Sequence, residues 1–206
     1  HALLDIDDNA ASIYTEIKDK YPIILTRDIE KAKRWLHTKV RGSEKTGVLI
    51  SKESARYKPL GIHALQSDDV NAVHWFLEDK KDTRSSNYLE DAATEIQVQG
   101  LELDYSCLLW DADMRYENGE WHYYIFNKQT RWDEIKADTE TKQERMKYML
   151  NAYRVLLTRA RAGMIICVPK GNGNKNSSGF WEDSTRLPEY YDGTYEYLKS
   201  LGLDEI

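Results

Sequence analysis

The amino-acid sequence predicts an α/β fold, a parallel sheet flanked by helices with an inserted β-hairpin, and three observations lead there. Strand-like and helix-like stretches alternate between Tyr21 and Tyr57, which favours a parallel sheet. Two apolar runs, Thr46–Ser51 and Met164–Val168, lack period-two alternation, so each reads as a strand covered on both faces. The stretch MKYMLNAYRVLLTRARAGMIICVP, residues 146–169, passes from an amphipathic helix through a glycine into the second of those strands.

Taken in order, residues 3–20 predict a short helix with Ile13 and Ile17 one turn apart, and Tyr21–Thr26 predicts a strand. Asp28 suits the N-cap of a second helix, in which Ile29, Ala32, Trp35 and Leu36 keep apolar spacing until Arg41-Gly42 ends it. The buried strand at 46–51 leads to a short helix or turn at 53–57. Between 61 and 90, His63 and His74 lack companions at metal-ligand spacing and read as locally satisfied histidines. Arg84, Ser85 and Ser86 there are either phosphate contacts or an ordinary polar loop.

A short strand at 93–96 then meets Gln97, Gln99 and Gly100, and a further apolar strand covers Tyr105–Trp110. A glycine between polar side chains lets backbone approach a ligand, and glutamine both donates and accepts hydrogen bonds; the plain alternative is a turn. Residues 111–135 hold the insertion, with Asn118-Gly119 at the centre of a hairpin turn. Its aromatic strand, Trp121–Phe126, either covers core or stacks on bases.

In the helix of 146–161, Met146, Met149, Leu150, Tyr153, Leu157 and Ala160 form one apolar stripe. At about 100° per residue, Arg154 and Arg161 fall together beside it, while Arg159 projects from the far side. From Lys142 to Arg161 six basic residues accompany one acidic residue, a local balance of +5 that marks either a solvated face or a phosphate-binding one. Gly163 fits the helix C-cap.

The chain has 206 residues, 41% hydrophobic and 31% charged, which suits one sizeable core and a single domain over 1–206. A net charge of −6 argues against a surface that is basic everywhere. Cys107 and Cys167 sit inside apolar runs and read as core. No apolar segment approaches the roughly 20 residues of a membrane span, and no leader is evident, so a soluble, cytoplasmic protein without a membrane partner is expected.

Two glycine patterns do not qualify as phosphate loops. Gly42-Ser-Glu-Lys-Thr-Gly47 runs from helix to strand, and Val48 and Leu49 stand where a lysine and a hydroxyl residue are required. Gly171–Gly179 follows a strand, but no helix pattern opens from it, and its composition predicts a flexible loop over about 170–184.

Two stretches together carry a resemblance. ATEIQVQGLELDY resembles motif V of superfamily 1 helicases, where Thr, a Gln-Gly pair and Leu-Glu open a helix between two strands. NAYRVLLTRARAG resembles their motif VI, a helix carrying Thr-Arg-Ala-Arg. With the flanking text VHWFLEDKKDTRSSNYLED, MIICVP and TRLPEYYDGTYEYLKSLG, nearly the whole chain is similar to a bacterial Schlafen-like DNA/RNA helicase family. The resemblance implies the second RecA-like domain of an ATP-driven motor, in which ATP and Mg2+ are bound mainly by the N-terminal RecA-like domain. This sequence has no GxxxxGK loop followed by Ser or Thr, so it is expected to be the second lobe alone and inactive by itself.

Residue by residue, the resemblance makes Arg159 the arginine finger on the γ-phosphate and places Gln99, Gly100 and Glu102 near phosphate and ribose. Arg161, with Arg154, is implied either as a bridge to acids of the sheet or as a nucleotide contact. Thr94 and Gln97 match positions nearer the nucleic-acid backbone, and Arg84 is a further nucleic-acid candidate. Ile96 stands where many relatives have histidine, so no side-chain contact is implied there. No metal ligand is assigned in this chain. Two other classes compete: a non-catalytic helicase-like binding or regulatory module, and a metal-dependent nuclease using Glu102, Asp104, Asp111 and Asp113, whose two pairs should lie at opposite ends of one strand.

Overall fold

A computed structural model describes residues 2–65, 71–79, 81–128 and 130–206. Its sequence-encoded centre is a set of short apolar strands: β1 (Ile23–Thr26), β2 (Thr46–Ile50), β4 (Asp91–Thr94), β5 (Leu103–Leu109) and β9 (Ala160–Cys167). Two-residue strands β3 (His63–Ala64) and β10 (Asp204–Glu205) close the edges, giving a seven-stranded sheet in the order β10-β1-β9-β5-β2-β4-β3, parallel at every pairing.

Successive residues of each strand point to opposite faces, and both faces are covered. Leu25, Leu49, Leu108 and Ile166 join one apolar cluster, while Ile24, Val48, Cys107, Leu109, Ile165 and Cys167 join the other. That two-sided burial is what the unalternating runs announced: every residue of β2 is buried, as is Met164–Cys167. The cysteines are free thiols in this core, and burial pushes Cys107 up to about 12.

Helix α2 (Ile29–Lys39) covers one face; its N-cap Asp28 accepts from the amides of Glu30 and Lys31, and Ile29, Ala32 and Leu36 are buried. The first helix, α1 (Ala10–Ile17), buries Ala10 and Tyr14 and leaves Ile13 and Ile17 exposed, because the Tyr14 hydroxyl donates to Ile23 O and so fixes which side meets the sheet. Residues 53–57 form no helix; a 3-10 turn follows at Lys58–Leu60. Helix α3 (Asn71–Leu77) brings Trp75 into the core.

The insertion is larger than a hairpin. Strands β6 (Met114–Glu117), β7 (Glu120–Asn127) and β8 (Arg131–Glu134) make a three-stranded antiparallel meander. Asn118 and Gly119 both have positive φ, 52° and 92°, as a type I′ turn requires. The meander's aromatics serve as core: Trp121 stacks on Trp110, and Tyr116 stacks on Tyr197 of α5 (Glu189–Ser200) at 3.9 Å.

The long amphipathic helix, α4 (Glu140–Leu156), ends sooner than its sequence periodicity predicts. The Thr158 hydroxyl donates to the carbonyls of Arg154 and Val155, which caps the last turn from the side, and Ala160 already pairs with Leu103 of β5. Gly163 is therefore within β9 and not a helix cap, and a Cβ there would press on Pro22 at 2.9 Å. From Lys170 to Pro188 no helix opens; within that loop Lys175 bridges to Trp181.

Candidate functional site

Because all strands run one way, the sheet has an amino edge and a carboxyl edge, and the candidate residues divide between them. The segment 95–102 runs back from the end of β4 to the start of β5, so it links the two. It forms a turn, closed by Val98 N to Thr94 O at 3.1 Å and Leu101 N to Val98 O at 3.1 Å, and no helix opens from Leu101-Glu102.

At the amino edge, Thr158 and Arg159 occupy the turn between α4 and β9 and Arg161 lies on β9, so the three motif-like arginines are not on one helix. Arg159 does not project freely, as a helical wheel suggests; it is half-buried. Its Nε donates to Val155 O at 3.2 Å, and its Nη1 lies 3.4 Å from both Val98 O and Leu101 O, the carbonyls that flank Gln99-Gly100. These bonds are long for N–H···O and involve neutral acceptors, so they orient the guanidinium without cancelling its charge. Among the described residues no carboxylate pairs with it. Gln99, Gly100 and Glu102 are exposed, and Gly100 takes a φ of 77° with open space where a Cβ would stand.

The neighbouring cations are already matched. Arg161 pairs with Asp104 at 2.7 Å, as the bridging alternative expected, and Arg154 pairs with Asp5 instead of lying beside Arg161. Lys142 and Arg145 pair with Asp138 and Glu53. The basic run thus spends most of its charge on internal partners. Arg84 also belongs to the amino edge: Asn87, three residues on, accepts from the amide of Thr46 at the start of β2. Its guanidinium forks onto Asp82 at 2.7 and 3.0 Å and holds that carboxyl well below the usual range.

Thr94 and Gln97 lie at the other edge. Gln97 Oε1 accepts from Thr94 N at 2.9 Å and Thr94 Oγ1 at 3.2 Å, while its Nε2 donates to Leu65 O. They line a cavity of about 300 Å³ together with Ser51, Lys52, Tyr57 and Lys58. The structure therefore unites Arg159, Arg161, Gln99, Gly100 and Glu102 at one edge, puts Thr94 and Gln97 at the other, and leaves Arg84 away from the pair it was grouped with. Lys52 and Lys58 went unremarked in the sequence, although Lys52 directly follows a buried strand and Lys58 opens the 3-10 turn shortly after it, where the carboxyl ends of parallel strands place ligands.

Beside that cavity the polar groups are deeply buried. Asp111 accepts from the amides of Ala55 and Arg56 and from Tyr191 Oη. Asp113, fully buried, accepts from Tyr153 Oη at 2.8 Å, and its carboxyl is pushed up to about 7 by burial and then by Asp111. Glu102 and Asp104 precede β5 or begin it, and Asp111 and Asp113 follow it, so the four acids are split as the strand dictates. Among the described residues no group of three His, Cys, Asp or Glu side chains is placed to hold a metal ion.

Comparison with protein families decides the relationship: the model described as Schlafen group 3, DNA/RNA helicase domain matches residues 1–170. The chain belongs to this helicase-domain family. No match is found among curated proteins or among solved structures. The helicase-domain match spans both edges of the sheet, from Thr94 and Gln97 through Glu102 to Arg159 and Arg161, and stops before the loop that carries Phe180 and Trp181. Membership ties the chain to helicase-related work on nucleic acid. No helix among the described residues is long and apolar enough to cross a membrane.

Proposed function

We propose that this chain is the second RecA-like lobe of a superfamily 1 ATP-dependent DNA/RNA helicase or translocase, with Arg159 as the arginine finger. The observation that carries the reading is the state of Arg159. It is oriented by three backbone carbonyls, two of them from the motif V-like turn, and it is the motif arginine that no carboxylate neutralises among the described residues. A guanidinium held this way suits an incoming phosphate: moving from long, neutral bonds to a phosphoryl group exchanges weak contacts for charge-assisted ones. Arginines so used contribute about 10³ to 10⁵ in rate where measured.

Exposed Gln99 and Gly100 beside it offer an amide side chain and open backbone to the same ligand, with Glu102 and Arg161 adjacent. The nucleotide that fits this arrangement is ATP with Mg2+. When bound, the metal supplies neutralisation of phosphate charge, and the phosphate loop that grips both belongs to an N-terminal RecA-like domain of the same protein. Thr94 and Gln97, across the sheet, face the nucleic-acid strand.

Two outcomes test this. The chain alone shows no ATP turnover, since no residue of a phosphate loop is present; phosphate release above a no-protein blank, after contaminants are excluded, contradicts it. In the full protein, Arg159→Ala lowers nucleic-acid-stimulated turnover by about a hundredfold or more.

A further inference from the structure

The loop after β9 lies beyond the family match and has a composition unlike the rest of this acidic chain. Residues 170–181, KGNGNKNSSGFW, hold two lysines and no acid. The loop ends in the most exposed large hydrophobic side chain among the described residues, Phe180 at 72%, followed by Trp181 at 42%. Two consecutive aromatic rings left in water are the kind of exposed apolar feature that marks an interaction site, where a single exposed ring would not.

The loop is built to hold those rings out. Asn176 Oδ1 accepts from the amides of Ser178 and Phe180, each at 3.0 Å, and Asn176 N donates to Phe180 O at 2.8 Å, closing a tight turn around Gly179. Lys175 bridges to Trp181, with its Nζ 4.4 Å from the indole ring centroid. The base is tethered separately: Asn172 N donates to Arg186 O, and Trp132 Nε1 donates to Thr185 O. Asp183 pairs at 2.8 Å with Arg56, which belongs to the same short segment as Lys52, Tyr57 and Lys58. Through that pair the base of the loop is tied to the segment that lines the cavity containing Thr94 and Gln97.

We propose that Phe180 and Trp181 form a base-stacking platform for single-stranded nucleic acid, extending the strand's path from the carboxyl edge of the sheet; this rests on the motor-lobe reading above. The charge argues for that occupant over an apolar protein surface. A cation sits on the indole, the loop from Lys170 to Trp181 carries no acid, and of the two acids that follow, Glu182 and Asp183, the second is paired with Arg56. Every base has a π face, so stacking tolerates any sequence, and a turn already closed by hydrogen bonds loses little freedom when bases settle on it.

The test uses the full protein and a fluorescein-labelled oligothymidylate, beside an abasic oligomer of equal length. Phe180→Ala with Trp181→Ala should weaken binding of the oligothymidylate by about tenfold or more, leave binding of the abasic oligomer unchanged, and leave the melting temperature unchanged, while Trp181→Phe retains most of the affinity. Equal losses on both oligomers, or no loss on either, overturn the platform. If the platform fails while nucleic acid still stimulates Arg159-dependent ATP turnover, the motor reading stands. If the unmodified protein binds neither oligomer, both readings fall.

Discussion

At the amino edge of the sheet Arg159 is held by neutral carbonyls, whereas at the carboxyl edge Glu95, Asp111 and Asp113 are buried and each already accepts from internal donors. The two edges thus spend charge differently. The first keeps a cation oriented and unneutralised, at the cost of long hydrogen bonds, while its neighbours Arg154, Arg161 and Arg84 are each matched by an aspartate. The second buries its acids against internal donors, with one oxygen of Asp113 left without a partner among the described residues, so they shape the end of β5, while Lys52, Lys58, Thr94 and Gln97 line the neighbouring cavity. An unpaired charge in a half-buried site is the more informative of the two, because structural ion pairs have no reason to spare it.

The largest effect that would break this comparison is on the platform behind Arg159. A Cβ on Gly47 of β2 would stand 2.6 Å from Trp75 Cζ2 and 3.2 Å from Leu103 Cδ1, at the point where β5 begins. Gly47→Ala should therefore cost about 3 kcal/mol in a denaturant titration, and a neutral result would show that the amino edge is looser than described. Asp104→Ala comes next. It strips a buried acceptor from Lys45 N (2.7 Å) as well as from Arg161, with an expected loss of about 2 kcal/mol.

Asp113 sharpens the other edge. Its folded-state value, about 7 against an ordinary 3.8, means that the native protein holds a proton the unfolded chain gives up. Its contribution therefore makes stability fall as pH rises from about 4 to about 7, and then level off. Asp113→Asn removes that titration: the variant should match the unmodified protein near pH 4 and exceed it at pH 8 by about 1–2 kcal/mol, read as melting temperature against pH. Parallel curves for the two proteins would refute a raised Asp113. The smallest effect is Arg161→Ala, because the side chain is 66% exposed; a loss under about 1 kcal/mol is expected, and a larger one would mean the pair is better shielded than its exposure implies.

What the sequence made legible follows from how local each signal was. Asp28 caps α2 with its own side chain, Asn118-Gly119 turns by its own φ preference, and the runs in β2 and β9 declare two-sided burial without reference to anything else. Where a distant partner decides, the reading failed. Helical periodicity continues past Leu156, yet pairing of Ala160 with Leu103 pulls the chain into β9 and carries Arg159 and Arg161 off the helix. Ile13 and Ile17 have the right spacing, but Tyr14 wins the core through Ile23 O. Strand β8, Arg-Trp-Asp-Glu, is too polar and short to announce itself, so a meander read as a hairpin. The bridge from Arg161 to an acid of the sheet was anticipated in kind; that Arg159 would rest on the Gln99-Gly100 turn was not, since only the fold brings residue 159 to 98 and 101.

If Arg159 is the finger we propose, it and Arg161, two residues apart, do different jobs. The direct measurement pairs melting temperature with nucleic-acid-stimulated ATP turnover in the full protein for Arg159→Ala, Arg159→Lys and Arg161→Ala. Expected are a loss of about a hundredfold or more in turnover for Arg159→Ala with the fold intact, little rescue by lysine because an ammonium cannot present a planar fork, and for Arg161→Ala a loss of stability that outweighs its loss of turnover. Near-normal turnover in Arg159→Ala, or turnover lost only where the protein has unfolded, would contradict the finger assignment.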